Sequence, residues 1–170
     1  VNIYNENILP KPLDPFDMKA DVFCISALTV SANRTRLIAH EIKRIYPDTR
    51  VIIGGIHASL SPETFKDVAD YIVYGEAESI IEDLIEGRIS DSIVQGRPVE
   101  DLDDLPLVNY SLLEGHEAME IIPIMTSRGC PFNCNFCTVT KIFGKKFRMQ
   151  STTRVMNEIT NALQYFQTRG

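Results

Sequence analysis

Four short apolar runs, each closing on a small residue, punctuate the chain before residue 97: DVFCIS, RVIIGG, YIVYG and SIVQG. Each is short, rich in β-branched residues and bounded by turn formers, so each reads as a buried strand. Between the first two, SANRTRLIAHEIKRIYP sets Leu37, Ile38, Ile42, Ile45 and Tyr46 on one helical stripe, and Pro47 stops it. After the second, Ser61 and Pro62 read as the cap and first residue of a short helix. After the third, EAESIIEDLIEG turns Ile80, Ile81, Leu84 and Ile85 inward, with Gly87 just past its end. Strands alternating with helices at this spacing predict βαβ units and a largely parallel sheet, although the strand order is left open. VNIYNE adds a short alternating strand at the start, and Cys24 reads as a small buried hydrophobe within the first run.

The 170 residues suffice for one domain with a proper core, or for one domain and part of another. The stretch PVEDLDDLPLVNYSLLEG is acidic, proline-bearing and weakly periodic, which predicts an interdomain linker over 98–117. A first module over 1–97 and a second over 118–170 follow. The second consists of a strand, MEIIPIMTS, a cysteine loop, and a closing helix capped at Ser151, Thr152 or Thr153 with Val155, Ile159, Leu163 and Phe166 as its stripe. One βα unit cannot bury its own apolar face, so the chain is expected to be a piece of a longer protein.

Charge divides in the same place. The net charge of −6 conceals ten basic against 22 acidic side chains before residue 125, and seven against one after it. No apolar run is long enough to span a bilayer and no signal-peptide pattern opens the chain, so a cytoplasmic protein is expected. Four cysteines in such a chain point to metal or redox chemistry rather than a disulfide framework. The cations Lys141, Lys145, Lys146 and Arg148 carry only Phe143 and Phe147 among them, and the acidic first module would repel a polyanion. Nucleic acid is therefore not the expected partner.

Cys130, Cys134 and Cys137 lie at C-x3-C-x2-C spacing in SRGCPFNCNFC. Three thiolates on one loop can converge on a single centre, and a cluster held by three leaves one iron free for a ligand. Zinc and a redox pair are the competing readings. Zinc ribbons want a second C-x2-C pair, and the remaining cysteine, Cys24, lies far upstream. Two further strand ends stand out: Ser26-Ala27-Leu28 and Gly54-Gly55. Ligands of open parallel sheets bind beyond the carboxyl ends of the strands, and paired glycines admit a bulky group close to the backbone. Taken alone, the glycine pair is better explained by a tight strand–helix turn.

RGCPFNCNFC resembles the cluster loop of radical S-adenosylmethionine enzymes, down to the aromatic Phe136, and FGKKFRMQSTTRVMNEI is similar to the segment that follows it. Ser26-x-Leu28 with Gly54-Gly55 resembles the S-x-L…G-G signature of cobalamin-binding domains. VIIGGIHASLSPE, YIVYGEAES and DLDDLP, in that order, resemble the cobalamin-binding radical enzymes in particular. The resemblance implies a Rossmann-like, flavodoxin-like α/β domain with its first strand and helix missing, followed by the first βα unit of a partial TIM-like barrel. It implies a 4Fe–4S cluster on Cys130, Cys134 and Cys137, S-adenosylmethionine on the free iron, and Phe136 near the adenine. Cobalamin is implied at the first module, with Ser26, Leu28, Thr29, Gly54, Gly55, His57, Gly75 and Glu76 as candidate contacts.

The family's D-x-H-x-x-G motif is absent, and His57 does not match its position, so His57 is expected as a loop residue near the ligand. The implied reaction is methyl transfer to an unactivated centre or an oxidative cyclisation of a small-molecule substrate, with an external one-electron donor of flavodoxin or ferredoxin type. No catalytic side chain is assigned. The other class of reading is a non-catalytic corrinoid-binding or iron–sulfur electron-transfer module. A domain that has lost the corrinoid is a third.

Overall fold

The computed structural model describes residues 1–166. The chain divides into two compact units, one made of residues 14–99 and 129–146, the other of residues 1–13, 100–128 and 147 onward.

The first unit is built on a four-stranded parallel sheet: β1 (Val22–Ser26), β2 (Arg50–Gly54), β3 (Tyr71–Gly75) and β4 (Ile93–Gly96), in sequential order. The register sets Ser26 opposite Gly54 and Gly75 opposite Gly96, so the four strands end on small residues at one edge. Alternation along β2 sends Val51 and Ile53 to one face and Ile52 to the other. Phe23, Val51, Ile53 and Ile72 pack with Ile38, Ala39 and Ile42 of α1 (Ala32–Ile45), Ala58 of α2 (Ile56–Leu60) and Phe65. On the opposite face Ile52 and Val73 meet Leu84 of α3 (Ile81–Ile85). Phe65, Ile42 and Leu84 are fully buried, each contributing about 1.5–3 kcal/mol of transfer free energy.

Several local expectations shift. Leu37 is 61% exposed, and α1 instead buries Thr35, Ile38, Ala39 and Ile42. The small side chains at positions 35 and 39 let the helix lie close to the sheet, which turns Leu37 outward. Cys24 is exposed rather than buried. β1 is an edge strand of this sheet, which leaves Cys24 accessible to solvent on one side. Ser61 makes no side-chain cap; it precedes a 3-10 turn, Pro62–Phe65, and an unforeseen helix, α2, opens directly after Gly55. EAESIIEDLIEG splits into a 3-10 turn, Ala77–Ser79, and the short α3, with Ile85 facing solvent.

The cysteine segment belongs to this first unit. Its ends meet where the Cys130 amide donates to the Gly144 carbonyl at 3.2 Å. Gly129 (φ +84°) stands too near the Lys146 carbonyl for any side chain to fit. α4 (Val139–Phe143) follows the cysteines, and packs against α2 and β3.

The second unit is organised by α5 (Thr152–Phe166). A strap of residues 103–109 runs beside it. Asp103 accepts the Ser151 amide at 2.9 Å, Arg154 donates to the Pro106 carbonyl at 2.9 Å, and the Asn161 amide group donates to the Val108 carbonyl at 2.7 Å. Tyr165 donates its hydroxyl to Asn109 at 3.2 Å. Glu158 is buried because Arg154 pairs with it at 2.6 Å. The expected inward stripe is rotated: Glu158 and Ala162 are buried while Ile159 and Leu163 are exposed. The strand expected over MEIIPIMTS is limited to β5 (Ser127–Arg128), paired antiparallel with β6 (Arg148–Met149). Among the described residues no parallel neighbour lies beside the rest of it, and a lone strand leaves its backbone groups unpaired. VNIYNE likewise reduces to one bridge, Ile3 to Leu113.

Candidate corrinoid site at the carboxyl edge of the sheet

The ends of β1 and β2 are tied together by main-chain hydrogen bonds. The Ala27 amide donates to the Gly54 carbonyl at 2.8 Å, and the His57 amide donates to the Ala27 carbonyl at 2.9 Å. The Ser59 hydroxyl continues the connection, donating to the Gly55 carbonyl at 2.9 Å and accepting the Gly75 amide at 3.1 Å. Ser26, Gly54, Gly55, His57 and Gly75 thus share one connected edge. Leu28 and Thr29 continue from β1, where the Leu28 amide donates to the Ser31 hydroxyl at 3.1 Å. Leu28, Val30 and Ile56 leave apolar surface exposed beside this edge.

The two glycines have different reasons to be glycine. At Gly55 the backbone is at φ 93°, ψ −173°, a region that only glycine adopts without strain. A Cβ there would also stand 2.8 Å from the Ala27 nitrogen and 2.8 Å from Ser26 Oγ. At Gly54 a Cβ would meet nothing nearer than the Val73 side chain and carbonyl, both at 3.8 Å. The fold requires Gly55 and merely tolerates Gly54. Gly54 thus leaves its backbone approachable, and the exposed apolar side chains of Leu28 and Ile56 on the same edge are compatible with a corrin.

Glu76 turns inward. It is 3% exposed and accepts the Val99 amide at 3.2 Å, which fastens the chain leaving β4. His57 is held on both ring nitrogens, Nδ1 at 3.3 Å from Thr29 Oγ1 and Nε2 at 3.1 Å from Thr64 Oγ1, with its ring edge-on to Phe65. Ser59 and Thr64 were not singled out from sequence. The available signal was Ser59 four residues after Gly55, the spacing at which a helical serine reaches back to a carbonyl.

The cysteines stand differently. Cys130 and Cys137 are half-buried, Cys134 is exposed, and all three are free thiols. Phe136 is 90% exposed. The Cys137 amide donates to the Cys134 carbonyl at 3.1 Å, a tight turn that places the last two cysteines on one bend. Among the described residues no three His, Cys, Asp or Glu side chains come together as a metal-binding group. The donor chemistry, three thiols and no carboxylate, suits a thiophilic iron–sulfur centre.

Residues 16–85 match the family model of the B12-binding domain. The chain is 31% identical over 160 residues to the bacteriochlorophyllide d C-8(2)-methyltransferase of Chlorobaculum tepidum, covering 89% of this chain and 35% of that protein. Residues 16–85 are therefore a B12-binding domain. Two other relatives are similarly near. An uncharacterized methyltransferase of Pyrococcus horikoshii is 30% identical over 176 residues, covering 88% of this chain and 37% of the relative. The anaerobic magnesium-protoporphyrin IX monomethyl ester cyclase of Rubrivivax gelatinosus is 30% identical over 177 residues, covering 84% and 31%. The chain therefore spans about a third of the length of these relatives. The matched residues 16–85 contain β1 to β3 and the whole of the connected edge.

Proposed function

We propose that this chain carries the corrinoid cradle and the cluster loop of a cobalamin-dependent radical S-adenosylmethionine enzyme. One observation carries the reading. α4 begins two residues after Cys137 and packs against α2, which begins at the residue after Gly55. The thiol loop and the open glycine edge therefore belong to a single compact unit, as a reaction using both cofactors requires.

Bound cofactors would supply the hard chemistry: an electron from the cluster to split S-adenosylmethionine into a 5′-deoxyadenosyl radical, and a methyl group or cobalt centre from the corrinoid. The protein's own part is to bind and orient. Gly54 offers an unobstructed floor, Leu28 and Ile56 offer apolar contact, and Gly55 with Ser59 keeps the strand ends in register. Cys130, Cys134 and Cys137 would hold the cluster, and Phe136 would sit near the adenine. The names of the relatives favour methyl transfer to, or oxidative cyclisation of, a small-molecule substrate. The electron would come from an external one-electron donor of flavodoxin or ferredoxin type. Among the described residues no helix is long and apolar enough to cross a membrane. Free thiols and an oxygen-labile cluster suit the reducing cytoplasm.

The second reading is a non-catalytic corrinoid-binding or iron–sulfur electron-transfer module, for whose corrinoid form the B12-binding match over residues 16–85 would suffice. Anaerobic reconstitution with iron, sulfide and hydroxocobalamin separates the two. The proposal expects iron and sulfide bound together with a corrin absorption band, and loss of the iron alone in Cys134→Ala. A retained corrin band without iron would establish the corrinoid form of the second reading. Zinc in place of iron, with no corrin band, would sink both.

A further inference from the structure

His57 lies on the carboxyl edge and carries a side chain that could serve as a cobalt ligand, and its surroundings argue for another task. Both ring nitrogens are already engaged by hydroxyls, Thr29 Oγ1 at 3.3 Å and Thr64 Oγ1 at 3.1 Å. A neutral imidazole has one donor and one acceptor nitrogen, and a threonine hydroxyl can complement either, so the pair of threonines satisfies the ring completely. The ring also lies edge-on to the fully buried Phe65, with centroids 5.6 Å apart. Turning a nitrogen toward cobalt would break a hydrogen bond and this contact together.

The two threonines come from different loops. Thr29 follows the Ser26-Ala27-Leu28 end of β1, and Thr64 lies in the 3-10 turn after α2. The Thr64 turn is itself anchored, since Arg36 donates to the Thr64 carbonyl and pairs with Asp67 at 2.6 Å. The His57 main chain meanwhile donates to Ala27. One residue thus joins the loop beyond β1 to the segment that carries the glycine pair.

We propose that His57 is a positioning residue, not a cobalt ligand: it ties the loop beyond β1 to the turn after α2 and so holds the glycine-bearing end of β2 in place for the corrinoid. The inference rests on the corrinoid reading of this edge.

The test uses cob(II)inamide, which has no nucleotide base of its own, so any nitrogen splitting in its electron paramagnetic resonance spectrum comes from the protein. Wild type is expected to bind it without nitrogen splitting. His57→Ala and the double variant Thr29→Val/Thr64→Val are each expected to weaken binding about tenfold, roughly 1.4 kcal/mol. Combining all three changes should add little, because one clamp is removed in each case. His57→Gln, which can still reach both hydroxyls, is expected to restore most of the affinity. Nitrogen splitting in wild type that vanishes in His57→Gln would overturn the inference. Unchanged affinity in the threonine pair would overturn it too. If His57→Ala does not fold, judged by circular dichroism, His57→Gln and the threonine pair decide the matter. A wild-type chain with no corrinoid absorbance at all would end the corrinoid reading itself, an outcome distinct from tight binding that is indifferent to His57.

Discussion

A methyl group placed on Gly55 would stand 2.8 Å from the amide nitrogen of Ala27, closer than real Cβ atoms approach. Gly54, one residue earlier, has no such neighbour. The two adjacent glycines should therefore respond oppositely to the same substitution. Gly55→Ala is expected to lower stability by about 1–3 kcal/mol from backbone strain alone, read as a lower urea midpoint. Gly54→Ala is expected to keep the wild-type midpoint and to lose corrinoid affinity. Equal loss of stability in both would assign the pair to the turn and remove the steric argument for a ligand.

Hydrogen bonds from Ser151, its hydroxyl before its amide, hold the Asp103 carboxyl below the usual carboxylate range. A pKa depressed on folding adds stability above the unfolded value of about 3.9 and loses it as pH falls through the lower folded value. The protection factors of the amides in the first turn of α5, that is, exchange corrected for its intrinsic pH dependence, should therefore be high at neutral pH and fall in the acid range. Asp103→Asn should flatten that pH dependence. A wild-type profile already flat would mean that the strap is held by the other three bonds.

Neighbouring protein desolvates the Cys24 thiol and pushes its pKa up, although the residue itself is exposed on the edge strand. Since the thiolate is the nucleophile, exposure should not translate into fast labelling. Alkylation of Cys24, followed by peptide mass, should keep accelerating above about pH 9.5, where an ordinary cysteine of pKa about 8.5 is almost fully ionised and its rate has levelled off. A plateau near that pH would show an unperturbed thiol.

Core and surface apolar residues should separate cleanly. Phe65→Ala removes a fully buried ring and is expected to cost about 3–5 kcal/mol. Leu163→Ala lies on the exposed side of α5 and is expected to stay within about 0.5 kcal/mol. A large loss at Leu163 would show that this face is covered in solution.

The four-strand parallel sheet was legible because it depends on patterns that survive in one dimension: β-branched runs, helical stripes, and small residues at strand ends. What escaped depends on partners remote in sequence. Leu37 and Cys24 are apolar residues in the right elements, yet exposure is decided by which neighbour lies opposite, and no periodicity records that. The rotation of α5 has a similar cause. An Arg154–Glu158 pair took the inward face because the strap offered the Pro106 carbonyl to the arginine, and charged residues are ordinarily read as outward. At the site, the Ser26 and Gly54 ends were visible as motifs. The Ser59 connection and the His57 clamp were not, since a threonine pair 35 residues apart has no local signature.

Residues 14–99 and 129–146 fold as one unit while residues 100–128 run between them in another. The helix that leans on α2 is thus encoded after an intervening segment, not beside the sheet it braces. A truncation at any single point in that segment would deliver the sheet without its brace, and a graft of the cysteine loop into another host would arrive without the surface against which it rests. Any transfer of the sheet together with the cysteine loop must move the whole interleaved stretch, a constraint that ties the inheritance of the one to that of the other.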